Sequence, residues 1–269
     1  MKKILDEIVL VKKAEVEKRK IAVPEKELIH RPLFRREVTS LADSILHPEK
    51  TGIIAEFKRR SPSKGIINGD ASVVETTMGY EKYGASGVSV LTDTPYFGGT
   101  DEDLISARNK ISIPLLRKDF VVDPYQVSEA RSLGADVILL IAAVLTKQEI
   151  HELTSVAHDL GMEVLLELHA EEEFEKIPST IRLVGINNRN LQSFDVSVSH
   201  SIDLASKLPA SCIKIAESGI DSPETLIELK KNGFDGFLIG ERFMKETDPA
   251  SAFKRFTESV RNILSQRKS

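Results

Sequence analysis

Eight short apolar, β-branched runs punctuate the chain: TGIIAEF, SGVSVLT, IPLLRK, DVILLIA, EVLLEL, RLVGIN, CIKIAES and FDGFLIG. Between them lie helix-like stretches such as VSEARSLGA, QEIHELTSVAHDLG, SHSIDLASKL and SPETLIELKKNG. The runs recur at intervals of about 20 to 35 residues, the length of a strand plus a crossover helix. Strand runs that are apolar on both faces belong to a parallel sheet covered by helices. Eight such units closing on one another make an α/β fold, the (β/α)8 TIM barrel, and the roughly 220 residues after residue 48 are near its usual size. A doubly wound open sheet is the rival, but its G-x-G-x-x-G turn after the first strand is missing. The glycines of LGAD, LGME and NGFD each follow a helix and precede a strand, as C-caps do.

Ahead of the first strong strand, Ile4, Leu5, Ile8 and Val9 stand at helical spacing among charges, which predicts an amphipathic helix over residues 1–20. A second helix is expected in SLADSIL, after the HRPLF break, and a closing helix in DPASAFKRFTESVRNILSQ. The expected organisation is one domain: an N-terminal helical extension, residues 1–48, packed on a catalytic barrel of residues 49–269. Asp6 and Glu7 fall where a signal peptide needs apolar residues, and no stretch approaches the ~18 apolar residues of a membrane span. The net charge of −4 gives no argument for nucleic acid or an anionic membrane. A single cysteine, Cys212, excludes an intrachain disulfide and fits a reducing compartment, with a buried structural thiol as its expected role. A cytoplasmic protein is expected, binding neither nucleic acid nor membrane, and monomeric or weakly homo-oligomeric.

Barrel enzymes build their sites where strands end and βα loops begin. That edge carries Glu56 and Lys58, Thr92 and Asp93, Lys118, Glu167, Asn187 and Arg189, Glu217 and Ser218, and the IGE stretch ending in Glu241. Side chains two apart on a strand share a face, so Glu56 and Lys58 follow Ile54 toward the core, at a cost unless they pair or do chemistry. Lys118, on the face of Leu116 and Phe120, is either paired with an acid such as Glu56 or an ammonium with its pKa lowered by apolar walls. Glu167, on an apolar strand, is expected to have a raised pKa suited to acid–base work. His169 shares its parity, but a catalytic metal needs about three protein ligands and no second histidine ends a strand.

AESGIDSPETL offers a Ser-Gly turn, then Asp221 or Ser222 as N-cap before Pro223, and LIGERFM puts Gly240 before a short helix. Backbone N–H groups from these two loops would form an anion pocket. Glu241 must then turn its carboxylate away from a bound phosphate. The KRRSPSK stretch reads as a mobile loop over an anionic substrate, with Ser61 and Lys58 adding to phosphate or carboxylate binding.

The stretches IIAEFKRRSPSKG, VLTDTPYFGG, LLRKDFVVDPYQV, LLELH, GINNRNL, IAESGI and FLIGERFM, in this order, closely resemble the indole-3-glycerol phosphate synthase family. The resemblance covers nearly the whole chain, the helical leader included. It implies a sugar-phosphate substrate, 1-(2-carboxyphenylamino)-1-deoxyribulose 5-phosphate, closed to an indole with loss of carbon dioxide and water, and no cofactor or metal. By motif Lys118 is the general acid, with Lys58 the alternative or its partner in later proton transfers. Lys58, Asn187 and Arg189 match positions that hold the substrate carboxylate, Glu167 matches the base for dehydration, and Glu56 and Glu217 match supporting acids. Phe97, Phe120, Leu139, Ile141 and Leu191 match the walls around the aromatic ring. Ser61, Ser218, Gly219, Gly240 and the Glu241 N–H resemble the phosphate site, although some members carry a small hydroxyl residue in place of Glu241. Two other readings stay open: a barrel aldolase with a Schiff-base lysine at Lys118, and a sugar-phosphate sensor without turnover.

Overall fold

The computed structural model describes residues 2–189 and 197–266. Eight parallel strands close a barrel in sequence order: β1 (Ile53–Phe57), β2 (Gly87–Leu91), β3 (Leu115–Lys118), β4 (Val137–Ile141), β5 (Glu163–Leu168), β6 (Leu183–Asn187), β7 (Ile213–Glu217) and β8 (Gly236–Ile239). β8 pairs back onto β1 through Ile54 and Leu238. The register brings the polar strand ends to one level: Leu91 is opposite Lys118, Ile141 opposite Glu167, and Asn187 opposite Glu217.

Alternation along each strand divides the apolar residues into two layers. Ile54, Leu116, Leu139, Leu165, Leu183, Ile215 and Leu238 fill the barrel interior. Val88, Leu140, Val184 and Phe237 face outward against the helices, and buried Cys212 belongs to this outer layer. At each site where a helix hands over to a strand the chain must turn sharply. Gly134, with φ 92°, does so after the helix Pro124–Leu133, and a side chain there would also meet Arg108. Gly161 and Gly233 take the same left-handed conformation, as LGME and NGFD led one to expect.

The segment before β1 reaches both ends of the barrel. The helix Leu41–Leu46 inserts Leu41, Ala42 and Ile45 under the interior layer. Its N-terminus is held by Glu163, which accepts from the Ser40 hydroxyl and from the backbone N–H groups of Leu41 and Ala42. The long helix α1 (Lys2–Ala22) crosses the other end, where Leu5 and Ile8 face the mouth. The closing helix Pro249–Gln266 packs Phe253 edge-on to Tyr80 and Phe243, with ring centroids 5.2 Å apart in both pairs. Among the described residues no helix is long and apolar enough to cross a membrane.

Candidate active site

A cavity of about 550 Å³ opens at the carboxyl ends of the strands, and all eight strands or the residues just after them contribute to its lining. Of the described residues that sequence reasoning placed in the site, all but Thr92 line it, among them Glu56, Lys58, Ser61, Phe97, Lys118, Phe120, Leu139, Ile141, Glu167, Asn187, Arg189, Glu217, Ser218, Gly219, Gly240 and Glu241. Leu191 lies outside the described residues. Thr92 departs from the expectation. It is buried away from the cavity, donating to Asp119 at 2.6 Å, because the residue after β2 turns outward to tie that strand to β3.

The charges are paired across strands. Lys58 lies 2.8 Å from Glu56 Oε1. The Lys118 ammonium sits 2.6 Å from Glu217 and 3.2 Å from Glu167, so its partners are these two acids rather than Glu56. Burial alone would lower the Lys118 pKa, but the charges of Glu217, Glu167 and Glu56 outweigh it and hold the ammonium above the ordinary lysine range. The expected lowering therefore fails: the walls are apolar, but three carboxylates face the nitrogen. The expected raised Glu167 is corrected too. Burial pushes its carboxyl up, yet Lys118, His169 and a hydrogen bond from Asn187 at 3.1 Å hold it below the usual carboxylate range. The raised acid is Glu217, pushed up to about 7 by burial, partly offset by Lys118, and by the neighbouring charge of Glu167.

This packing depends on a glycine that sequence reasoning missed. A β-carbon at Gly185 would lie 2.1 Å from Glu217 Oε1, so only glycine lets that carboxylate fold across β6. Its signal was a glycine inside a strand, in RLVGIN, which marks close approach by a neighbour. Gly240, which also lines the cavity, has a similar role, since a β-carbon there would meet Glu56 Oε1 at 2.7 Å. His169 Nε2 stands 3.1 Å from Glu167 Oε1, and that pairing draws the imidazole pKa upward against the effect of burial. Among the described residues no three His, Cys, Asp or Glu side chains group so as to hold a metal ion.

One side of the cavity is apolar: Phe97 and Phe120, with ring centroids 6.1 Å apart, face Leu139, Ile141, Leu5 and Ile8. The two α1 residues were not foreseen as part of the site. The opposite rim is built of backbone. Ser218, with φ 68°, is the non-glycine residue with left-handed φ among the described residues, and Gly219 repeats that conformation at 68°. Asn188 fixes the turn by donating to the Ser218 carbonyl at 2.6 Å. Ser222, not Asp221, caps the helix Pro223–Lys231 by accepting from the Thr225 N–H. Gly240 precedes the one-turn helix Glu241–Met244, and the Glu241 carboxylate is turned toward Lys64, 3.7 Å away.

The KRRSPSK stretch folds as a short hairpin, Arg60–Ser61 against Gly65–Ile66. Arg59 anchors its base with a bidentate pair to Asp103 and lies over the Phe57 ring. Ser61 is thereby buried in the cavity wall, with Ser63 and Lys64 beside it.

Three acids, two lysines, an amide and an arginine thus converge in a half-apolar cavity at the catalytic end of a (β/α)8 barrel, the constellation of an acid–base enzyme. The family model for indole-3-glycerol phosphate synthase matches residues 5–256, and the chain belongs to that family. It is 44% identical to the indole-3-glycerol phosphate synthase of Bacteroides thetaiotaomicron over 97% of this chain and 100% of that protein. It is 43% identical to the Dechloromonas aromatica protein of the same name, over 95% and 99% of the two chains. In fold it is similar to a tryptophan synthase alpha-subunit from Pyrococcus furiosus, with a TM-score of 0.59 at 13% identity, covering 79% of this chain and 98% of that one.

Proposed function

We propose that the chain closes 1-(2-carboxyphenylamino)-1-deoxyribulose 5-phosphate to indole-3-glycerol phosphate, releasing carbon dioxide and water. The observation that carries the reading is the Glu167–Lys118–Glu217 cluster in a cavity with an aromatic wall on one side and a backbone rim on the other. Family membership adds the reaction class. Residues 1–48 act as an extension of a catalytic barrel spanning 49–269, and the enzyme works in the cytoplasm as a monomer or weak homo-oligomer, needing no cofactor.

In this reading the phosphate lies at the Ser218–Gly219 and Gly240–Glu241 turns, with Ser61 beside it, and the aryl ring lies between Phe97, Phe120, Leu139 and Ile141. Lys58, Arg189 and Asn187 hold the substrate carboxylate. The ring carbon that bears this carboxylate attacks the ketone, and an ammonium gives its proton to the carbonyl oxygen. Lys118 is charged in the free enzyme, and an alkoxide is more basic than an amine, so this transfer runs downhill. Breaking the bond to carbon dioxide returns the electron pair to the ring. Glu167, ionised in the free enzyme, then takes a proton from the carbon next to the new hydroxyl, which leaves as water with a proton from a lysine ammonium. Lys58 is the alternative acid or the partner in the later transfers.

The test is to mix pure protein with the aminodeoxyribulose phosphate, without added metal, and follow indole emission. The chain contains no tryptophan, so no protein indole emission overlaps the product signal. Absence of emission with saturating substrate overturns the reading; tight binding without turnover would leave the sensor.

A further inference from the structure

We propose that Lys12 is a positioning residue for the aryl half of the substrate, its ammonium pinning together three of the four elements that wall that side of the cavity. The proposal rests on the functional reading above. Lys12 Nζ lies 3.0 Å from Asp93, 2.9 Å from Asp119 and 3.0 Å from Glu15, and its side chain is 3% exposed.

Each partner belongs to an element that carries a wall residue. Asp93 follows β2 and caps the short helix Thr94–Phe97, accepting from the Tyr96 N–H at 2.8 Å, so it sets where Phe97 points. Asp119 follows Lys118, accepts from the Phe120 N–H at 2.8 Å, and takes the Thr92 hydroxyl on its other oxygen, so it fixes Phe120. Lys12 itself stands on α1 one turn beyond Ile8 and two beyond Leu5, on the same face of the helix. It is not among the cavity-lining residues, so it acts through these neighbours rather than by touching substrate.

An apolar residue at position 12 would cover the barrel at lower desolvation cost, since a buried ammonium is expensive even when paired. What the ion set adds is a fixed geometry: one nitrogen meets acids from two strand ends at hydrogen-bonding distance, and α1 cannot slide without losing both. Burial works against the charge of Lys12, yet Asp119, Asp93 and Glu15 together hold it above the ordinary lysine range. The sequence signal was a lysine on the apolar face of an amphipathic helix.

The experiment compares two ligands on the full chain. One is the substrate with its ketone reduced to an alcohol, which keeps the aryl group but cannot cyclise. The other is ribulose 5-phosphate, which lacks the aryl group. Lys12→Met should weaken the first about tenfold, the share of ring burial lost when the wall loosens, and change the second by no more than about twofold. With substrate, KM should rise while kcat stays within about threefold. Lys12→Met takes from Asp93 its ion-pair partner, whereas Asp119 keeps Arg117 and Glu15 keeps Arg19, so Asp93→Asn is the second variant. It keeps the capping oxygen for Tyr96, removes one charge from a set that stays neutralised, and should show the same selectivity at about threefold. If Asp93→Asn weakens both ligands equally, or neither, the proposal is overturned whether or not Lys12→Met folds. If the unaltered protein neither forms indole nor binds the reduced analogue, it is the functional reading that falls.

Discussion

Gly185 and Glu217 are complementary across β6 and β7: the missing β-carbon of one is the space occupied by the carboxylate of the other, with 2.1 Å between the two positions. The obstructing atom is the end of a flexible side chain, so Gly185→Ala should move the carboxylate rather than unfold the barrel. Lys118 then loses its 2.6 Å partner and shifts toward Glu167. A misplacement of about 1 Å at reacting groups costs about 10²-fold. The expected outcome is a kcat lower by that order, with a urea midpoint close to that of the unaltered protein. Equal activity in the alanine variant would mean that the Glu217 position does not matter to the reaction.

The strand-end residues were legible in sequence because a parallel barrel turns linear order into spatial order. Once Glu56, Lys118, Glu167, Asn187 and Glu217 are assigned to the carboxyl ends of closed strands, they have to share one rim. Which acid carries the proton was not legible. That depends on Lys118 reaching across from β3 to β5 and β7, and on Asn187 and His169 supporting Glu167 but not Glu217. The same limit hid Lys12 and the hairpin, whose anchors Asp93, Asp119 and Asp103 are separated from them by tens of residues. Local pattern reports the face on which a side chain lies, but partners from other elements decide its charge and its neighbours.

Glu217 should leave its mark on stability. Its carboxyl is pushed from an ordinary 4.5 to about 7 in the folded chain. Between those values the native state keeps a proton that the unfolded chain has released, so stability falls as pH rises through this window. His169, also raised, contributes with the same sign above its ordinary value of 6.5. Glu167 is shifted the other way, and its contribution is lost only as pH falls below 4.5. Urea unfolding free energies measured from pH 5 to pH 8 should therefore decline by as much as about 3 kcal/mol from Glu217 alone. In Glu217→Gln the decline should shrink to the His169 share. A stability that rises over this range in the unaltered protein would contradict the assignment.

Lys118 is expected to be indispensable as a proton donor and inert as a nucleophile. Its ammonium is held charged between Glu167 and Glu217, and a Schiff base needs the free amine. Lys118→Ala should lower kcat by about 10³-fold or more, the upper range for a positioned acid. Borohydride added during turnover should leave the mass of the unaltered protein unchanged. A covalent adduct at Lys118 would favour the aldolase reading, and a near-normal kcat in the alanine variant would remove this residue from the chemistry.

Glu241 bears on the proposed phosphate rim. Its N–H opens the one-turn helix Glu241–Met244 beside Gly240, where a phosphate would be favoured by the helix end. Its carboxylate brings the wrong charge to that place and is only loosely drawn off by Lys64 at 3.7 Å, both side chains being substantially exposed. Exposed charges are screened and individually weak, typically below about 1 kcal/mol. Glu241→Ser keeps the backbone donor, removes the like charge and adds a hydroxyl donor toward the anion. Inorganic phosphate should then inhibit about three- to fivefold more strongly at low ionic strength, with the gain shrinking as salt is added. A variant that binds phosphate more weakly at every salt concentration would show that the Glu241 carboxylate supports the rim, through Lys64, more than it repels the ligand.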